Sequence, residues 1–244
     1  MRNCDTLIIG SGYTSLGYAF SRPDTLIVEE RELCDVSFCF AQRGYGVVDV
    51  QESGLARELY EYYAERGLVR DGMLNVGALE MGMCAFMQER GIKALLKCRV
   101  ISVRALEDGC LEARVISGGG LEHIRARRVL DMRSHGEMMT LTLLFTADDT
   151  AAVSAVSSVF PEGTVTPAFY EGRYALTLPV CGEYNEEKRR VTDRWRAAEH
   201  GARLLYIAPA IAVRSESSGV PCDSDFDSPF TAFEAGAKYA LEVE

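Results

Sequence analysis

No stretch of the 244 residues approaches the ~20 consecutive apolar positions that span a bilayer, so no membrane partner is expected. The N-terminus has no signal-peptide apolar core or cleavage site, because strand-like sequence begins almost at once; a cytoplasmic chain is expected. Histidine is scarce. His123, His135 and His200 are scattered, with no acid at metal-ligand spacing, and no metal site is expected. The eight cysteines lack paired spacing, which fits a reducing compartment. Lys and Arg number 26 against 36 Asp and Glu, and the resulting net charge of −10 argues against a nucleic-acid partner. No internal repeat or low-complexity segment stands out. The remaining composition, 48% hydrophobic and 25% charged, is that of a globular chain long enough for one core with an elaboration.

Against these absences stands IIGSGYTSLGYAF, residues 8–20. Thr6–Ile9 reads as a short buried strand with no polar alternation. Two glycines then make a tight turn, residues 13–21 continue as a helix, and Thr25–Val28 reads as a second buried strand ending in Glu29 and Glu30. Gly10 permits the turn, and Gly12 lets backbone approach a pyrophosphate with no Cβ in the way. The N–H groups opening the helix, those of Tyr13, Thr14 and Ser15, offer a partial positive charge to phosphates. Glu29, 19 residues after Gly10, is placed to accept ribose hydroxyls. The third glycine of the fingerprint is Ser15 here, and Ala19 supplies a further small contact. Strand, turn, helix, strand and terminal acid together form a dinucleotide-binding unit; a βαβ turn serving structure alone is the bland alternative.

Farther along, residues 51–66 and 77–90 carry apolar and aromatic residues at helical spacing, and Gly91 stops the second helix. Strands are expected at 95–105, 111–116 and 121–126, a meander joined by DG and GGG turns. Residues 126–132 read as one more buried strand ending at Asp131. From 140 a β-α-β-β-α block follows, including a hairpin at Glu171-Gly172 and a charged helix with Val191 and Trp195 four apart. A strand at 203–213 and a helix from about 229 to 243 complete the reading.

The order resembles the FAD-dependent oxidoreductases of the glutathione-reductase-like, two-dinucleotide-fold class. The resemblance rests on GSGYTS with Glu29, on QERGIKALLKCRVISV, on the meander into RRVLDM, and on SPFTAFEAGAKYA, covering 5–136 and 203–243. It implies an α/β, Rossmann-like FAD/NAD(P)-binding three-layer fold with a β-meander and a small α+β cap. The implied domains are a discontinuous FAD-binding domain, 1–138 plus 203–244, and a cap or substrate domain, 139–202. It further implies FAD as cofactor, backbone at Val100 against the adenine, and the last helix, opening at Pro229, Phe230 and Thr231, facing the flavin. Ser228 is a good N-cap and Pro229 suits the first helical position. Two departures are plain. Asp131-Met132-Arg133-Ser134 stands for the family's Asp-Ala-Thr-Gly, and Val220-Pro221-Cys222-Asp223 for its Gly-Asp.

Other constellations read as ordinary. Cys34-x4-Cys39 lacks the flanking Gly-Gly and the C-terminal His–Glu pair of disulfide reductases. Tyr184-x-x-x-Lys188 matches short-chain dehydrogenase spacing, but the glycines and the serine that family needs are missing. His135 and RGYG at 43–46 border the expected cofactor path, where a loop histidine and a mobile turn explain them. The expected function is an FAD-dependent oxidoreductase of unknown small-molecule substrate and unknown oligomeric state, with no catalytic residue named. The rivals are a non-enzymatic binding or interaction module on the same fold, which the two departures favour, and an NAD-dependent dehydrogenase.

Overall fold

A computed structural model describes residues 2–32, 34, 36–46, 48, 54–134, 136, 138–214 and 219–243. The chain begins β1 (Arg2–Ile9), α1 (Tyr13–Ser21), β2 (Thr25–Val28), α2 (Leu55–Glu65), a short hairpin β3 (Val69–Arg70) and β4 (Met73–Leu74), then α3 (Leu79–Glu89). β5 (Lys93–Leu95), β6 (Arg99–Ala105), β7 (Leu111–Ser117) and β8 (Gly120–Asp131) follow. A second region holds β9 (Met138–Thr146), α4 (Thr150–Val159), β10 (Thr164–Pro167), β11 (Arg173–Val180), α5 (Tyr184–Ala197), β12 (Arg203–Ile207) and β13 (Ala212–Arg214). α6 (Pro229–Glu242) is the last helix.

The first sheet has the order β5-β2-β1-β8-β7-β6. Its β5, β2, β1 and β8 run parallel, and β8, β7 and β6 form the antiparallel meander. Helices α1, α2, α3 and α6 cover one face through Tyr13, Leu16, Leu59, Tyr63, Phe86 and Phe233, all fully buried. On the other face Leu7, Leu26 and Val28 meet Ala113, Val115 and Ile124 of the meander, completing the three layers. The expected α/β fold with its meander is therefore present.

The closest packing in this region joins α1 to α6. A Cβ at Gly17 would lie 2.7 Å from the carbonyl carbon of Phe233, and one at Gly236 2.7 Å from that of Thr14. The helices touch backbone to backbone because both positions lack side chains. α6 thus fixes the orientation of the turn that begins α1.

Three strand expectations are corrected. The strand expected at 95–105 is two, β5 and β6, because Lys97 adopts a left-handed conformation (φ 55°) between them. The strands expected at 121–126 and 126–132 are one continuous β8, antiparallel to β7 over its first half and parallel to β1 from Ile124. The strand expected at 203–213 is β12 and β13, separated around Pro209, and both pair with β9 in the second sheet. That sheet has the order β10-β11-β9-β12, and α4, with Phe160 just past its end, and α5 pack on it through Val156, Phe160, Val191 and Trp195.

Candidate functional site

The turn between β1 and α1 borders a cleft of about 250 Å³, also lined by Glu29, Glu30, Arg31, Ser37, Arg133 and Asp223. Gly10 sits at φ +101°, and a Cβ there would meet Arg133 at 2.9–3.1 Å, so the position is closed to other residues on both counts. Its N–H bonds Val28 O at 2.9 Å, tying the turn to the end of β2. Ser15 is fully buried, and its hydroxyl donates to Gly10 O at 2.7 Å. The residue replacing the third glycine therefore braces the turn from inside.

At one end of the cleft the Glu29 carboxylate is already oriented. Its Oε2 accepts from the N–H and the hydroxyl of Ser11, both at 2.9 Å, and its Oε1 accepts from Arg31 N–H at 3.0 Å. The neighbouring chain is held as well, with Cys98 N–H donating to Glu29 O at 2.9 Å. Glu30 is exposed, 3.5 Å from Arg99 and 4.0 Å from Arg133. Arg133 forks onto Asp131, its Nε 2.9 Å from Oδ1. Across the cleft the hydroxyls of Ser37 and Ser134 meet at 2.7 Å.

The other end is built differently. Gly12 has no side chain with which to cap α1, and no acid lies in the first turn of that helix. Asp223 supplies the cap. Its Oδ2 accepts from Tyr13 N–H at 2.9 Å; its Oδ1 accepts from Thr14 N–H at 2.9 Å and from the Thr14 hydroxyl at 3.0 Å. Asp223 is 1% exposed, and burial pushes its carboxyl above the usual carboxylate range while these donors and the Arg43 charge pull it down. Arg43 holds the Asp223 backbone, donating from Nη2 to Asp223 O at 2.7 Å and to Phe226 O at 3.1 Å. It also reaches Val213 O in the second sheet at 3.2 Å. The RGYG segment thus contributes a buried clamp at its first residue where a mobile turn was the bland expectation.

The remaining expected site residues are placed as follows. The Tyr13 ring lies in the core, its hydroxyl 2.7 Å from that of Tyr63. Val100 pairs with Val115 and packs, partly buried, against the meander core; it does not line this cleft. Ser228 caps α6 as read, with Pro229 in the first turn, but its Oγ accepts from Phe230 N–H at 3.2 Å. The Phe230 N–H is therefore taken up by the cap, and its ring is buried against Tyr60 and Tyr63. Thr231 is exposed and donates its hydroxyl to Ser228 O at 2.9 Å.

Cys34 and Cys39 are both buried and outside any disulfide. Cys34 donates to Cys84 on α3, which holds the Cys84 thiol down to about 7 and pushes that of Cys34 up. Tyr184 spends its hydroxyl on Ala208 O at 3.0 Å, as a chance match to dehydrogenase spacing would. His135 lies outside the described residues. Among the described residues no helix is long and apolar enough to cross a membrane.

Three site residues escaped the sequence reading. Ser11 stands inside the Gly-x-Gly signature, Arg133 replaces a small residue of the family pattern, and Asp223 was noted only beside a missing motif. The first two had a local signal. Asp223 had none, because its partners are 209 and 210 residues away.

No family model matches this chain, and no curated protein matches it. Solved structures do. The chain is similar to p-nitrophenol 4-monooxygenase PnpA from Pseudomonas putida DLL-E4, at TM-score 0.54 and 11% identity, over 86% of this chain and 68% of that one. It is similar to aklavinone-11 hydroxylase, solved in a ternary complex with FAD and aklavinone, at TM-score 0.54 and 15% identity, over 100% of this chain but only 62% of the hydroxylase. A geranylgeranyl bacteriochlorophyll reductase-like protein from Thermoplasma acidophilum gives TM-score 0.59 at 14% identity, over 99% of this chain and 78% of that one. At these identities the likeness establishes the fold alone, the α/β arrangement that this chain shares with the three proteins.

Proposed function

We propose that this chain is an FAD-dependent oxidoreductase acting on a small molecule. The observation that carries the reading is Glu29, a carboxylate at the end of β2 turned onto the Gly10-Ser11-Gly12 turn beside an open cleft. Its fold is shared with a monooxygenase, with a hydroxylase solved with FAD and with a reductase-like protein. In this reading Glu29 receives the ribose hydroxyls, Gly10 and Gly12 leave room for the diphosphate, and Arg133 supplies a cation at its edge. Glu30, Val100 and the first turn of α6 at Pro229–Thr231 are the finer part of the reading, as are the glutathione-reductase-like affiliation, the cap role of the second region and a cytoplasmic location. When bound, the flavin would supply hydride or electron transfer; the protein supplies position and electrostatics.

The fit of the group divides along the cleft. The ribose end suits an adenosine. The diphosphate end, as it stands, does not, because the N–H groups of Tyr13 and Thr14 are already paired with Asp223. That observation favours the second reading, a nucleotide-fold module without redox activity. The visible spectrum of freshly purified protein, with identification of any nucleotide released on denaturation, decides between them. Flavin bands at one equivalent support the oxidoreductase; a colourless protein that takes up no added FAD rejects it. In the first case Glu29→Gln loses about 1.5–3 kcal/mol of FAD binding, measured by titration of flavin fluorescence.

A further inference from the structure

We propose that Asp223 is the protein's own occupant of the phosphate position at the start of α1, so that an anionic ligand enters only by displacing it. The part of this that concerns FAD rests on the reading above; the self-occupied position does not.

The geometry is that of an anion site with the anion already present. Two successive N–H groups at the start of a helix, those of Tyr13 and Thr14, each meet a different carboxylate oxygen at 2.9 Å, and the Thr14 hydroxyl adds a third donor at 3.0 Å. A diphosphate bound at this helix would spend two of its oxygens on those same hydrogens. Gly12 reinforces the point. A Cβ there would lie 2.5 Å from the Asp223 Cγ and 2.7 Å from its Oδ1, so the carboxylate lies flat in the cradle that the missing side chain leaves. Gly12 is thus required here by Asp223 in the same way that the fingerprint requires it for a phosphate.

The carboxylate also borders the open cleft that Glu29 lines. A ligand anion seated in that cleft beside an ionised Asp223 would face a like charge with its own donors already taken. The backbone that carries Asp223 is anchored separately. Arg43 holds the carbonyl oxygens of Asp223 and Phe226, and Cys222 N–H donates to the Asp225 carboxylate at 3.0 Å across the same turn. Displacement therefore needs the Asp223 side chain to swing out, with the turn itself held. What this arrangement achieves is a helix start complete without a cofactor.

The test uses the full chain and inorganic pyrophosphate, with Asp223→Ala and the near-isosteric Asp223→Asn. Asp223→Ala should melt lower than wild type in anion-free buffer, and millimolar pyrophosphate should restore most of the loss while leaving wild type nearly unmoved. Pyrophosphate affinity should rise about tenfold or more in Asp223→Ala over wild type, with Asp223→Asn between them. Should Asp223→Ala fail to fold, wild type still decides. Its Tyr13 and Thr14 amide resonances should stay in place on adding pyrophosphate, and those of Asp223→Asn should shift. Equal pyrophosphate binding by wild type and both variants, or movement of the wild-type amides, overturns the proposal. FAD titration of the same proteins separates the two readings. Rescue by pyrophosphate without FAD uptake by any variant keeps the self-occupied position and removes FAD. Tight FAD binding by wild type with no gain in either variant does the reverse.

Discussion

Helices α1 and α6 lie against each other, yet their first turns are finished by opposite means. α6 carries its own cap: Ser228, one residue outside the helix, accepts from Phe230 N–H at 3.2 Å, and Pro229 removes one donor that would have lacked a partner. α1 begins at a bare glycine and borrows a carboxylate from the other end of the chain. A local cap commits the helix end as soon as the helix forms. A borrowed cap completes α1 only when the whole domain has folded, and it leaves a carboxylate at the helix start. A Gly-x-Gly turn and a free helix terminus are separate properties, which this protein has uncoupled.

The heaviest blow to the comparison falls on the seam that both helices share. Gly17→Ala places a methyl group 2.7 Å from the Phe233 carbonyl carbon, and neither backbone has a side chain to move aside. We expect a loss of about 3 kcal/mol, read by urea denaturation, with α1 and α6 displaced together. A loss below about 1 kcal/mol would mean that the helices slide freely past each other. Next comes the borrowed cap. Asp223→Ala leaves two N–H groups at the start of α1 without their charged acceptor, and about 2 kcal/mol should go, or roughly 4–8 °C in melting temperature for a chain of this size. The local cap is worth less. Ser228→Ala exposes one N–H that water can reach in part, so about 1 kcal/mol is expected from the same melting experiment. An order of loss with Ser228→Ala above Asp223→Ala would invert the comparison.

The same contrast marks how much was legible in the sequence. Features written in neighbouring residues match the structure: the end of β1, the glycine turn, α1, β2 and the Ser228-Pro229 start of α6; β1 itself begins at Arg2, ahead of the expected Thr6. The reading failed where distant chain decides. Lys97 breaks an expected strand by taking a positive φ, although lysine carries no turn chemistry; the bonds that hold it there come from Arg31 and Glu29. β8 changes partner midway, so its two apolar runs looked like two strands. Sequence spacing sets Cys34 beside Cys39, whereas its hydrogen-bond partner is Cys84 on α3. Spacing alone places Glu29 beside the glycine turn, where the structure has it. It does not place Asp223, because nothing in residues 220–228 announces that α1 lies across from them.

The gentlest change sharpens the comparison by improving the cap that is already local. Thr231 is the third residue of α6, exposed, and makes only a hydroxyl bond to Ser228 O. Thr231→Glu creates Ser-x-x-Glu at the helix start, in which the new carboxylate reaches back toward the Ser228 N–H and meets the positive end of the helix dipole. Glutamate also has the higher helix propensity. The lost hydroxyl bond offsets part of this, and a net gain of about 0.5 kcal/mol is expected, visible as a rise of one or two degrees in melting temperature at low salt. The gain should shrink in high salt, which screens the dipole contribution but leaves propensity untouched. A flavin makes the same variant informative about function. If the first turn of α6 faces the flavin ring in loaded protein, a carboxylate there disfavours the negative charge of reduction, and the flavin potential falls even as the protein grows more stable. A potential unmoved by Thr231→Glu in protein that holds FAD would leave α6 with a scaffold role alone, and would confine the chemistry of this fold to the cleft that Glu29 and Asp223 share.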